Sequence, residues 1–138
     1  MFDTILLPID LTHPESWEKA LPAARKCAGA TGTIHILGIV HDLGSAMVAS
    51  YLPVGFEQKA LTDMQAALQE FRQKHLPSAQ VHTAHGHVPE TILKQAQALN
   101  ADLIVMASHP AGDLGTLLVG SNADKVVRHA DRPVLVVR

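Results

Sequence analysis

Cysteine is all but missing from this chain. Cys27 stands alone, so no internal disulfide can form. Aromatic residues are scarce too, at 4% against 47% hydrophobic residues, so the core has to be aliphatic, built from Leu, Ile, Val and Ala. No basic block occurs, and 11 basic against 13 acidic residues leave a net charge of -2. The attraction of a cationic face for a phosphate backbone is therefore lacking, which argues against nucleic acid and anionic membranes as partners. No apolar run approaches the roughly 18 residues of a spanning helix, so no membrane insertion is expected. Met1-Phe2-Asp3-Thr4 lacks the positively charged region and small-residue cleavage site of a signal peptide. Together with the unpaired cysteine, this points to a reducing compartment, the cytoplasm.

Catalytic signatures are missing as well. There is no Gly-x-Ser-x-Gly elbow, no Gly-Lys-Ser/Thr of a phosphate loop, and no Gly-x-Gly-x-x-Gly after the first apolar run. Cys27, between Ala24 and Ala28 on a helical stripe, is expected as a small core residue rather than a reactive thiol. Nine histidines raise the question of a metal, and His82, His85 and His87 cluster. Strand alternation sends His82 and His85 to opposite faces, and no cysteine or acidic partner nearby completes a ligand set. A solvated edge is expected, not a metal site.

What the chain does have is a regular alternation of apolar runs with helical periods, the mark of βαβ units and a parallel sheet. Thr4 to Ile9 is a short continuous run, expected as a strand buried on both faces that ends near Pro8. A helical pattern runs from about Pro14 to Ala30, with Trp17, Leu21, Ala24 and Ala28 on one stripe. Pro22 should kink or break it, and Gly32 closes it. Further strands are expected over Thr33 to Val40, Gln80 to His85, Asp102 to Ala107 and Pro133 to Val137. Further helices are expected over Phe56 to His75, from Pro89 through Leu99, and from Ser121 to Ala130. Residues 41–55 show no clear period and suggest a loop or lid. Five strands and four helices in 138 residues suit one domain over 1–138, an α/β doubly wound sheet with helices on both faces.

In such a sheet, ligands bind beyond the carboxyl ends of the strands where strand order reverses. Asp10, Val40 with His41, and Ala107-Ser108-His109 stand at such ends. Asp10 suits ribose hydroxyls, with the capping of the turn that follows it as the plainer alternative. Gly120-Ser121-Asn122 opens the last helix, where exposed N–H groups and the helix dipole offer an anion seat. The same residues suit a plain helix start, with Ser121 and Asp124 as a capping-box-like pair.

These residues also carry a likeness. Pro8-Ile9-Asp10 resembles the opening of universal stress proteins. The stretch from Ala101 to His109, through Leu117-Leu118-Val119-Gly120-Ser121-Asn122 and Val127-Arg128-His129-Ala130 to Pro133–Arg138, resembles their C-terminal signature. Element order agrees along the whole chain. The resemblance implies a five-stranded sheet in the order 3-2-1-4-5 and ATP, alone or with Mg2+, between the ends of the first and fourth strands. It implies a homodimer paired through the last strands, at Val134, Leu135, Val136 and Val137. The nucleotide contacts it implies are Pro8, Ile9, Asp10, Val40, Met106, Ala107, Ser108, His109, Gly120, Ser121 and Asn122.

The family's ATP loop reads Gly-x-x-Gly-x9-Gly-Ser/Thr. Gly120-Ser121 matches its end, while Ala107 and Pro110 stand where its first two glycines belong. The likeness is nearest to a branch with an altered first loop and a Gly-Ser-Asn turn. The expected function is ATP-binding, non-enzymatic regulation of stress response. The alternatives are a dimeric interaction module without nucleotide, and a slow ATPase or phosphotransferase using His109.

Overall fold

The computed structural model describes residues 1–41, 51–108 and 121–138. Its strands are β1 (Thr4–Pro8), β2 (Thr33–His41), β3 (Gln80–Gly86), β4 (Leu103–Ala107) and β5 (Val134–Val137). The helices between them are α1 (Ala20–Ala28), α2 (Phe56–His75), α3 (Val88–Ala98) and α4 (Ser121–His129), with a 3-10 turn at Pro14–Ser16. All strand pairings are parallel, and the sheet order is β3-β2-β1-β4-β5.

The apolar run of β1 makes it the central strand. Thr4 to Pro8 pair with Thr33 to Leu37 on one side, while Ile5 and Leu6 face Leu103 and Ile104 on the other. Its side chains divide by parity. Ile5 and Leu7 join Ile34, Ile36, Leu103 and Val105 under α1 and α2, where Ala20, Leu21, Ala24, Leu68 and Phe71 cover them. Leu6 joins Leu37, Ile104 and Met106 on the opposite face, covered by Ile92, Ala96, Ala123 and Val126 of α3 and α4. One sheet thus has two cores, one on each face and both largely aliphatic. Gly38 of β2 marks a close approach: a Cβ there would lie 2.7 Å from Met64 Sδ and 2.6 Å from Leu68 Cδ1, so α2 rests directly on the strand.

The expected 14–30 helix is broken, but upstream of Pro22. The chain makes a 3-10 turn at Pro14–Ser16 and begins α1 at Ala20. Pro22 is then in the first turn, where its missing N–H would have had no intrahelical acceptor. Gly29, with φ 62°, caps α1 ahead of the expected Gly32. Trp17 packs edge-on against Phe71, with ring centroids 4.9 Å apart. Cys27 is half-buried rather than fully enclosed, and lies against the α1–α2 core.

Two polar clamps fasten the ends of the sheet away from the strands' carboxyl termini. Asp102 accepts from the N–H groups of Asp3 and Thr4, each at 2.9 Å, tying the start of β4 to β1. Arg132 donates Nη1 to the carbonyls of Ala96 and Ala101 at 2.9 and 2.8 Å, closing the end of α3.

His82 corrects the expectation of a solvated edge. His35 and His82 stack across β2 and β3 with Nδ1 and Nε2 2.8 Å apart. Their face belongs to α3, whose inward residues Ile92, Leu93, Ala96 and Leu99 carry no charge. Burial holds both imidazoles below the ordinary value of 6.5, for His35 with a further push from the charge of His82. The unfolded chain therefore takes up protons that the native pair refuses. The stability this contributes is full above about pH 6.5 and is lost as pH falls below it. Urea unfolding at about pH 7.5 and about pH 5.5 should show the wild type losing more stability on acidification than a His35→Leu/His82→Leu variant. Equal losses would refute this origin. The carboxylates act in a separate window: burial would raise the Asp10 and Asp102 groups, but donated hydrogen bonds bring both below their ordinary 3.8. Their contribution is present above 3.8 and fades only at more acid pH.

Candidate functional site

At the carboxyl ends of the strands, β1 and β4 part company: α1 and α2 cover one face of the sheet and α3 and α4 the other. A cleft of about 700 Å³ opens there. It brings together Pro8, Ile9 and Asp10 from the end of β1, Val40 from β2, and Met106, Ala107 and Ser108 from β4. Ser121 and Asn122 from the start of α4 complete this set. The remaining two expected contacts, His109 and Gly120, lie outside the described residues, as do Pro110 and most of the 41–55 segment.

The walls differ in character. Ile39, Val40, Met64, Leu68, Val88 and Ile92 make an apolar side, the kind of surface a planar ring or aliphatic group covers. Asp10, Thr12, His13, Ser16, Ser108, Ser121 and Asn122 make a polar side. Backbone donors on that polar side are mostly used. Asp10 N–H donates to Ser16 Oγ, His13 N–H to the Asp10 carbonyl, and Ser108 N–H to the Val137 carbonyl. Ser108 therefore offers the cleft its hydroxyl rather than its amide. The first turn of α4 adds backbone donors of another kind. Its N–H groups have no intrahelical acceptor, and the dipole favours negative charge there. Asp124 does not turn back as a capping-box partner; it pairs with Arg128 at 3.0 Å.

Asp10 shows its local role directly. Its Oδ1 accepts from the Thr12 N–H at 3.0 Å and the Thr12 hydroxyl at 2.6 Å, and Oδ2 meets His13 Nδ1 at 2.9 Å. Burial pushes this carboxyl up, but those donors outweigh it, so the group stays ionised. Thr12 and His13 were not among the expected contacts. An Asp followed two residues later by Thr was the available sign, since that spacing forms a side-chain turn. Met64, Leu68, Val88 and Ile92 were also missed, because only the packing of α2 and α3 brings them to the cleft.

Among the described residues no three His, Cys, Asp or Glu converge as a metal ligand set. Two histidines of the suspected cluster do have acidic partners: His85 meets Glu57 at 3.2 Å and His87 meets Glu90 at 3.6 Å. Among the described residues no helix is long and apolar enough to cross a membrane. Val134 to Val137 form β5 at the edge of the sheet, with Leu135 exposed.

Residues 1–138 match the family model described as the universal stress protein family. The chain belongs to the universal stress protein family. Universal stress protein G of Salmonella typhimurium is 32% identical over 145 residues, covering all of both chains. The solved structure of the hypothetical protein MJ0577 superposes with a TM-score of 0.79 at 25% identity, covering 99% of this universal stress protein and 96% of that one. A universal stress protein solved in complex with cAMP shares the fold, with a TM-score of 0.68 at 16% identity over 99% and 97% of the two chains.

Proposed function

We propose that this universal stress protein binds ATP in the cleft between β1 and β4 and acts as a non-enzymatic regulator of stress response. The observation that carries this is convergence. An apolar wall, an ionised carboxylate and the first turn of a helix line one cavity of about 700 Å³ at the reversal point of the sheet. Ile9, Val40, Met106 and Ala107 would flank base and sugar, and Asp10 would take the ribose. The phosphates would rest on Ser108, Ser121 and Asn122, with His109 and Gly120 as further contacts. Mg2+ accompanying the nucleotide would be held by phosphate oxygens and water, given the lack of a converging protein ligand set among the described residues. The fold is able to hold an adenine nucleotide, as the cAMP complex of a distant family member illustrates.

Ala107 and Pro110 in place of the first two glycines, with Gly120-Ser121-Asn122 kept, support assigning the chain to a variant branch of the family. The exposed edge of β5 suits pairing of two copies through Val134 to Val137, and the cytoplasm suits a chain with one cysteine.

The test uses the protein's weak absorbance. With one Trp and one Tyr, a carried-over adenine would dominate the ultraviolet spectrum of the purified protein. Mass spectrometry of the heat-denatured supernatant is expected to identify ATP. A second reading, an interaction module without nucleotide, is favoured by Ala107 and Pro110 in place of glycines. A nucleotide-free supernatant together with no calorimetric response to added ATP would establish it. Phosphotransfer through His109 would require radiolabel from ATP that is lost in His109→Ala.

A further inference from the structure

Asp10 is the group placed to hold a ribose, yet most of its acceptor capacity is already in use. An ionised carboxylate has about four acceptor positions, two on each oxygen. Thr12 fills both positions on Oδ1, through its N–H at 3.0 Å and its hydroxyl at 2.6 Å. His13, with its proton on Nδ1, takes one on Oδ2 at 2.9 Å, the same nitrogen lying 2.9 Å from Thr12 Oγ1. A single position on Oδ2 is left.

The main chain that carries this carboxylate is held as well. Ser16 Oγ accepts from the Asp10 N–H and donates to the Asp10 carbonyl, both at 2.9 Å, and the His13 N–H bonds the same carbonyl at 3.0 Å. Backbone and side chain of Asp10 are thus braced from both ends of the turn.

We propose that this cleft takes nucleotides through one ribose hydroxyl and does not distinguish ribonucleotides from deoxyribonucleotides. The proposal presupposes the nucleotide site assigned to the cleft. Strong selection for a hydroxyl arises where its absence leaves a polar group of the site unpaired. Here a missing hydroxyl leaves Asp10 with three donors still bonded. A second hydroxyl can enter only by displacing half-exposed His13, which exchanges one hydrogen bond for another.

Calorimetric titration of the full chain with ATP, 2′-deoxy-ATP and 3′-deoxy-ATP, at fixed pH and Mg2+, tests this. The three affinities are expected to agree within about threefold. A Thr12→Val/His13→Ala variant frees one position on each oxygen, and its preference for ATP over both deoxy forms should rise to about tenfold or more. Overturning results are a wild-type preference of about tenfold for ATP over both deoxy forms, or unchanged selectivity in the folded double variant. Either would leave the nucleotide site standing. Should the double variant fail to fold, the wild-type comparison alone decides. Failure of all three nucleotides to bind would overturn the site and this inference together.

Discussion

Ser121→Glu is expected to weaken ATP binding by about 30- to 100-fold while leaving the fold as stable as before, or slightly more so. The two effects have opposite signs because they share one cause. Ser121 is the first residue of α4, where N–H groups without intrahelical acceptors concentrate positive potential. A carboxylate fixed there satisfies that potential and stabilises the helix by about 0.3–1 kcal/mol. The same carboxylate stands where the phosphates would rest. Near a protein surface two unit charges about 4 Å apart interact by about 4 kcal/mol, so a net penalty of about 2–3 kcal/mol remains after partial screening. Calorimetry with ATP and a thermal melt of the same preparation check both arms. Undiminished affinity with an unchanged or raised melting temperature would show that the phosphates sit elsewhere.

Leu6→Ala will reduce unfolding free energy by about 3–4 kcal/mol, within the range for emptying a tight aliphatic site. Leu6 is fully buried at the middle of the central strand. Its Cα is registered between His35 of β2 and Ile104 of β4, and α3 and α4 cover its face. Neighbours held by strand pairing on both sides cannot collapse into the space, so cavity loss adds to transfer loss. Domains of this kind are stable by about 5–15 kcal/mol, so the loss would be a large share of the whole. Leu6→Met, which nearly conserves volume, should lose less than about 1.5 kcal/mol. Urea unfolding with an unchanged m-value measures the difference; similar losses for the two variants would mean that volume at this position is not what matters.

Periodicity made much of this fold legible. Phe56 to His75 was bounded on both sides because Leu61, Met64, Leu68 and Phe71 keep one stripe and Pro77 cannot extend it. β1 was clear because an unbroken apolar run fits only a strand covered on both faces. The break after Ser16 was placed too late, since proline disrupts a helix interior but is at ease in a first turn. The His35–His82 contact lay beyond reach for another reason: it depends on the register that sets Leu37 opposite His82, and no local pattern reports register. In the cleft, the strand ends and the helix start could be read as chemistry near a reversal point. Thr12 and His13 could be suspected only from a turn, and Met64 and Leu68 not at all, because their place over Gly38 is a product of packing.

The strand order has a consequence for how the molecule comes into being. During synthesis β1, β2 and β3 emerge together and can pair at once, forming one half of the sheet with α1 and α2 across one face. β1 must then wait with one long edge bare until Leu103 and Ile104 arrive to cover it. The far wall of the cleft, Met106 to Ser108 and the first turn of α4, arrives later still. A chain arrested before residue 103 therefore lacks the β4 and α4 wall of the cleft, so a ligand that needs both walls engages only chains that have passed that point.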